Sequence, residues 1–323
     1  MPRTDPPGAG MRGRIGRAFD RASRGYDSAA VLQTDVRDIL LQRLAIARLE
    51  PATILDAGSG TGHASLKLKH RYPKARVVAL DIAHQMLREA GRRQRFRRRF
   101  DRVRADAARL PFQDRTFDLV FSNLLLSWCD PDDVLREFRR VLRPGGLLTL
   151  SSYGPDTLRE LRTAWSGVDD AAHVNLFIDM HDLGDACVRA GFAAPVLDVE
   201  RYTLAYADVP ALIRDLRAVG ANTLIGPAGE AGTDAVVRRG LTGRRKFAAM
   251  QSAYEGLRRE ARLPASYEIV FANAWTPADA GGQRKTTGGT SADVHVSLEE
   301  LSAELKARAA RGGDRGTRGG GES

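Results

Sequence analysis

The chain has 323 residues and a mass of 35.2 kDa, with 43% hydrophobic and 28% charged residues. That is the balance of a soluble globular protein of one large or two small domains. Apolar runs such as Leu124 to Leu126 and Leu147 to Leu150 fall far short of the ~20 residues that span a bilayer. The N-terminus shows no apolar core of a secretion signal, so a membrane-spanning or exported protein is not expected. Two cysteines, Cys129 and Cys187, make neither a disulfide framework nor a Cys-based zinc site. A cytoplasmic, metal-free protein is the expectation. The net charge of +10 is concentrated: Arg88 to Arg104 holds nine arginines against Glu89 and Asp101, and the first 24 residues hold six against Asp5 and Asp20. Such stretches suit acidic partners or solvated faces. No aromatic-interleaved motif accompanies them, so nucleic acid is not an expected partner.

Residues 1–11 are rich in Pro and Gly and read as a disordered tail. The elements of residues 12–275 then read as one domain. Thr53 to Asp56 is a short apolar strand entering a Gly-rich turn, with helical spacing at Ala64, Leu66 and Leu68. Arg76 to Asp81 reads as a strand, Ala83 to Arg95 as a helix, Val103 to Asp106 and Phe117 to Ser122 as further strands. Asp130-Pro131-Asp132-Asp133 supplies an N-cap, a first-turn proline and first-turn acids. The helix it starts stops at Arg143-Pro144-Gly145-Gly146, before a strand over Leu147 to Ser151. Strands alternating with helices argue for an α/β fold, a mostly parallel sheet with helices on both faces. Beyond it, Met180 to Ala190 reads as a helix, Pro195 to Ala205 as a strand, Asp208 to Val219 and Thr242 to Arg259 as helices, and Tyr267 to Trp275 as a last strand. Within the domain, residues 12–50 form capping helices, 51–152 a binding core, and 153–275 a helical lid and the end of the sheet. Residues 276–323 read as a mostly flexible tail, with one capping-box pattern at Ser297 and Glu300.

In such sheets ligands bind beyond the carboxyl ends of the strands. That points to Asp56 through Gly62, Asp81, Asp106 and Asn123. Glycines after a strand let the backbone turn tightly and approach a ligand. A dinucleotide fingerprint wants glycine at 58, 60 and 63, but position 63 is His63 and the third glycine is Gly62. No Gly-Lys-Ser/Thr follows either. Three acids around the loop suit a nucleoside without a pyrophosphate, because phosphate would be repelled.

These residues resemble the class I S-adenosylmethionine-dependent methyltransferases. The resemblance covers about Phe19 to Ser152 and includes Leu110-Pro111-Phe112, Phe117 to Val120 and Leu142 to Gly146. It implies that Gly58, Gly60 and Gly62 border the methionine moiety, that Asp81 holds the ribose, and that Asp106 with Ala107 meets the adenine. It also implies that the segment from Phe19 to Asp27, with Tyr26, caps the cofactor. Further stretches narrow the match: Tyr26 to Gln33, Ser122 to Cys129, Gly154 to Leu161, His173 to Phe177, Asp215 to Asn222, Leu241 to Arg244 and Tyr267 to Trp275. From about Arg17 to Trp275 the chain resembles the malonyl-acyl-carrier-protein O-methyltransferase family of biotin synthesis. One departure is the neutral Leu176, where some members carry Arg.

The resemblance implies S-adenosylmethionine as methyl donor, no metal, and an acidic malonyl-acyl carrier protein as partner. A malonyl carboxylate arrives ionised and needs no general base, so the protein chiefly aligns the reactants and excludes water. Tyr26 and Trp128 are the candidates for closing the pocket, and Arg217 for holding the carboxylate by bidentate contact. His173, Asn175 and Gln33 are further substrate-side candidates. His63, His70 and His84 read as surface helix residues. Arg92 to Arg104 or Arg238 to Arg245 are candidates for carrier docking. The residues leave open a related methyltransferase acting on another small carboxylate or a quinone precursor. They also leave open a respiratory-complex assembly-factor-like protein of the arginine hydroxylase type.

Overall fold

The computed structural model describes residues 9–47, 49–94, 99–221 and 243–278. The capping-box pattern near Ser297 and the arginines Arg238 and Arg239 lie outside the described residues.

The strands form one sheet whose inner members carry β-branched and Leu side chains buried on both faces, while its two edge strands are largely exposed or half-buried. In chain order they are β1 (Thr53–Ala57), β2 (Arg76–Asp81), β3 (Asp101–Arg104), β4 (Phe117–Asn123), β5 (Leu142–Tyr153), β6 (Ala193–Tyr206) and β7 (Leu263–Trp275). They make one sheet of order β3-β2-β1-β4-β5-β7-β6. The pairs from β3 to β5 are parallel, and β7 runs antiparallel to both β5 and β6.

The helices are α1 (Ala9–Ala22), α2 (Tyr26–Ala29), α3 (Val31–Arg43), α4 (His63–Arg71), α5 (His84–Arg93) and α6 (Pro131–Val141). They continue with α7 (Arg159–Ser166), α8 (Met180–Arg189), α9 (Val209–Ala218) and α10 (Arg244–Glu255). Strand alternation sends neighbouring side chains to opposite faces. Ile54, Val77, Leu119 and Phe271 pack with Leu40, Leu68, Met250 and Tyr254 on one face. Leu55, Leu80, Val120 and Val270 pack with Phe138, Val141, Leu183 and Cys187 on the other. The α6 cap is the one read from sequence: the Asp130 side chain accepts from Asp133 N, with Pro131 in the first turn.

Several boundaries differ from the sequence reading, each for a tertiary reason. Helix α1 already includes Ala9 to Met11. Strand β3 stops at Arg104 because its pairing with β2 ends at Asp81, which leaves Asp106 in the following turn. Strand β5 begins at Leu142, paired with Phe117, and resumes at Leu147 opposite Leu119. The four residues between bulge out, with Gly145 at φ 69°. Thr276 closes that bulge. It is 2% exposed, its hydroxyl accepts from Gly146 N at 2.9 Å, and its carbonyl accepts from Gly145 N at 3.1 Å. Strand β7 starts at Leu263 because Leu263 to Ser266 pair with the far end of β6, whereas α10 is shorter at both ends than the helix read from sequence.

Asp118 ties these connections together. Its Oδ2 accepts from Ala52 N and Thr53 N, both at 2.9 Å, and its Oδ1 accepts from Arg143 Nη1 at 2.8 Å. Burial would raise its pKa, but the Arg143 guanidinium and the Thr53 N–H and hydroxyl outweigh that and hold it below the usual carboxylate range. A depressed pKa contributes stability above the ordinary Asp range, lost as pH falls through the folded value. Asp118→Asn is expected to cost ~1–3 kcal/mol near neutrality. In denaturant titrations that difference shrinks on acidification.

Candidate functional site at the carboxyl edge of the sheet

The strand order reverses between β1 and β4, and there the loops after both strands diverge to leave a cleft. On its floor, Gly58 and Gly60 adopt φ of 72° and 53°. A Cβ at Gly58 would stand 3.0 Å from the Leu125 side chain, whereas nothing lies within 4 Å of one at Gly60. The loop therefore approaches the open cleft with bare backbone. Gly62, at φ 81°, packs so closely on Ala90 that a Cβ would meet it at 2.7 Å. Its role is helix packing rather than cleft lining.

Asp81, at the end of β2, anchors the loop. Its Oδ2 accepts from Gly60 N and its Oδ1 from Ala83 N, both at 2.8 Å. Each oxygen keeps a second acceptor position for a ligand. Burial pushes this carboxyl up to about 6. Asp56, 1% exposed, accepts a short hydrogen bond from Ser65 Oγ, and burial pushes it up to about 7.

At the far end of the cleft Asp106 accepts from Ala108 N at 3.0 Å and pairs with Arg12 of α1 at 3.0 Å, and Ala107 lines the same wall. Helix α1 lies over the opening with Ile15 and Phe19, and Tyr26 follows from α2. The covering segment is fastened at both ends. Asp20 accepts from Gln85 N at 2.7 Å, and Asp27 accepts from Thr61 Oγ1 at 2.6 Å and pairs with Arg93. His63 is not a plain surface residue, since it lines the cleft 3.4 Å from Asp27. His70 and His84 are exposed.

A second cavity of about 1170 Å³, including its open mouth, lies beside the first. The two share Gln33, Trp128, Tyr153, Val219 and Ala221 as a common wall. Trp128 stands edge-on to Phe19, with ring centroids 5.1 Å apart. Gln33 Nε2 donates to Tyr153 Oη at 3.2 Å. Asn123 reaches the site as a support. Its amide donates to Gln33 O at 3.1 Å and accepts from Ser151 Oγ at 2.9 Å, fastening α3 to the sheet. His173 and the 9%-exposed Asn175 line the second cavity. His173 stacks on Trp165 at 3.6 Å and bonds Asp169 at 2.7 Å.

Arg217 is not brought into either cavity. Helix α9 turns Asp215 and Leu216 inward, with Val219 at its C-cap, and Arg217, one residue round from Leu216, is exposed. Conversely, Arg37 of α3 lines the cleft beside the glycine loop and was not singled out by sequence reading. It is 8% exposed and gives Nε to Asp38 Oδ1 at 2.7 Å. Next to it Ser59 Oγ is buried without a partner among the described residues. Such an orphan hydroxyl marks a position for a polar ligand.

The phenols and the thiol in the walls are held neutral. Burial drives the Tyr26 phenol well above its usual range and pushes the Tyr153 phenol and the Cys129 thiol up to about 12. The site can align and desolvate reactants, but it offers no thiolate nucleophile.

A mostly parallel sheet of this order, with a glycine loop after β1 and an acid closing β2, defines a class I S-adenosylmethionine-dependent methyltransferase. A family model described as "Methyltransferase domain" matches residues 55–150. The malonyl-[acyl-carrier protein] O-methyltransferase of Laribacter hongkongensis is 49% identical over 287 residues, 86% of this chain and 93% of the relative. The one of Methylovorus sp. is 47% identical over 273 residues, 82% of this chain and 89% of the relative. The chain belongs to the malonyl-[acyl-carrier protein] O-methyltransferase family. Solved structures share the fold. The YcgJ protein of Bacillus subtilis superposes with a TM-score of 0.52 at 14% identity, over 74% of this chain and 97% of that one. Haemonchus contortus phosphoethanolamine N-methyltransferase 2, solved with S-adenosylhomocysteine, gives 0.51 at 17% identity, over 86% and 61%.

The raised Asp56 carboxyl carries a stability cost. Between its unfolded and folded pKa the folded state binds more protons, so stability falls as pH rises through that interval. Asp56→Asn keeps an acceptor for Ser65 and is expected to stabilise the fold by ~1–4 kcal/mol above neutrality. Thermal unfolding should show little gain at about pH 4 and the full gain at about pH 8.

Proposed function

We propose that the chain methylates the free carboxylate of malonyl-acyl carrier protein, giving the methyl ester that masks the charge for chain extension toward biotin. The observation that carries this reading is the wall shared by the two cavities. It sets a tyrosine-lined chamber directly against the glycine-loop cleft, as transfer between two bound groups requires. Residues 12–275 act as the single catalytic domain.

The cleft fits S-adenosylmethionine. Its open face before Gly60, the spare acceptor positions of Asp81 and the orphan Ser59 hydroxyl match a ligand with ribose hydroxyls and a polar amino-acid end. When bound, the cofactor supplies a methyl group activated by a sulfonium. Asp81 accepts from the ribose hydroxyls, and Asp106 and Ala107 meet the adenine. Asp56, Gly58, Gly60 and Asn123 shape the amino-acid end. Arg37 and Ser59 hold its carboxylate.

On the substrate side Gln33, His173 and Asn175 orient the acyl group. Tyr26 and Trp128 close the junction. A phenol held neutral by burial positions an oxygen without competing for the methyl group. The malonyl carboxylate is already ionised, so no side chain removes a proton. Closing α1 and α2 over the cleft excludes water, which otherwise solvates both charges and opposes their approach.

The direct test follows label from methyl-labelled S-adenosylmethionine, with acetyl-acyl carrier protein and free malonate as controls. Base-labile label on the malonyl carrier alone is expected, and cofactor binding without transfer would overturn the substrate. Two variants test the cofactor placement by calorimetry. Arg37→Ala should weaken S-adenosylhomocysteine binding ~10- to 100-fold. It should leave methylthioadenosine, which lacks the amino-acid group, nearly unaffected. Cofactor affinity should rise between about pH 5 and about pH 8 as Asp81 ionises, and Asp81→Asn should flatten that dependence.

A further inference from the structure

The exposed arginines divide by what they touch. Among the described arginines of the Arg88 to Arg104 stretch, Arg92 pairs with Glu89 at 2.5 Å, Arg93 pairs with Asp27, and Arg102 and Arg104 donate to the carbonyls of Leu87 and Ile82. Arg21 and Arg24, at the end of α1 and in the turn before α2, are exposed. So are Arg214 and Arg217 on α9. None of these four has an ion pair among the described residues.

Arg214 and Arg217 belong to α9, Arg24 to the turn that leads into α2, and Arg21 to the end of α1 just before that turn, and both α2 and α9 supply lining to the second cavity. Helix α2 packs on α9. Ser28, Ala29 and Val31 line one side of the cavity, and Asp215, Leu216 and Val219 the other. Val31 is 61% exposed, so it stands at the opening. Leu176, 75% exposed, lies between Asn175 and Phe177, which both line the same cavity. Nearby acids are turned to other partners. Asp20 accepts from Gln85 N, Asp27 holds Thr61 and Arg93, and Asp215 accepts from Tyr206 Oη at 2.6 Å. The result is an unpaired basic collar with two exposed apolar residues, set around an opening that leads to the wall shared with the cofactor cleft.

We propose that Arg21, Arg24, Arg214 and Arg217, with Val31 and Leu176, form the surface on which the acidic carrier protein docks to deliver its acyl group. This rests on the methyl-transfer reading above. Unpaired guanidinium groups at a rim keep their field in solution, so they steer an acidic partner and set its register. The apolar pair supplies the small dry centre that charge alone lacks. The collar lies at the cavity into which the acyl chain must enter, whereas no described residue of the Arg88 to Arg104 stretch lines that cavity.

The test uses the full chain loaded with S-adenosylhomocysteine and measures its affinity for malonyl-acyl carrier protein by calorimetry. Methyl transfer is measured in parallel on that carrier and on malonyl-pantetheine. Arg214→Glu with Arg217→Glu, and separately Arg21→Glu with Arg24→Glu, should each weaken carrier binding at least ~10-fold and abolish most of its salt dependence. S-adenosylhomocysteine affinity and turnover of malonyl-pantetheine should stay near the unsubstituted level. Arg88→Glu with Arg92→Glu should bind the carrier normally. The proposal is overturned if the collar variants bind the carrier as the parent does, or if the Arg88 and Arg92 pair loses as much. Equal loss on carrier and pantetheine substrates would also overturn it, by assigning the arginines to the acyl group itself. An unsubstituted chain that methylates neither substrate would instead overturn the methyl-transfer reading.

Discussion

The carboxyl edge of the sheet depends on one buried carboxylate. Asp81 ends β2 and reaches sideways to accept from Gly60 N, and its other oxygen accepts from Ala83 N at the start of α5. A carboxylate here holds open a glycine loop that has no side chains to brace itself, and it turns the second strand into its helix. Taking a carboxylate out of water is costly, and the pKa of Asp81 stays raised because burial outweighs the backbone N–H groups of Ala83, Gly60 and Ile82. Asp56 adds a second uncomfortable carboxyl behind the loop. Strain of this kind is concentrated where a ligand supplies the missing partners, in keeping with the general conflict between stability and function.

The N-terminal segment converts that edge into an enclosed site. Helices α1 and α2 contribute few residues to the main hydrophobic faces, yet four polar contacts fasten them: Arg12 to Asp106, Asp20 to Gln85 N, and Asp27 to both Thr61 and Arg93. These set Phe19 against Trp128 and place Tyr26 in the wall of the cofactor cleft. The walls at the junction are neutral phenol, indole and amide groups. Chemistry between an anion and a cation needs alignment and dryness there rather than proton transfer.

Much of the fold was legible because it is local. The Asp-Pro-Asp-Asp cap, the glycines after β1 and the alternating strand periods each act within a few residues, and each is found where the sequence places it. The candidate site was legible in its glycine loop and in Asp81 for the same reason. What escaped sequence reading is non-local. Arg37 stands in an ordinary helical run, and only the packing of α3 against β4 and β5 carries it to the loop. Arg217 has the chemistry for a carboxylate, but helix phase turns it outward and Asp215 inward. Thr276 reads as the first residue of a tail, yet it closes the bulge between Leu142 and Leu147.

By itself, the order of residues determined the strand and helix alternation, the glycine loop with its flanking acids, and through them the family to which the chain is similar. Backbone propensity, caps and hydrophobic period are properties of neighbours along the chain. Tertiary structure alone decided which side chains share the second cavity, which arginines stay unpaired at its mouth, and which carboxylates leave water. Those depend on elements separated by a hundred or more residues meeting at one edge, as when Gln33 reaches Tyr153. Burial and the resulting shifts in charge exist only once that meeting has occurred.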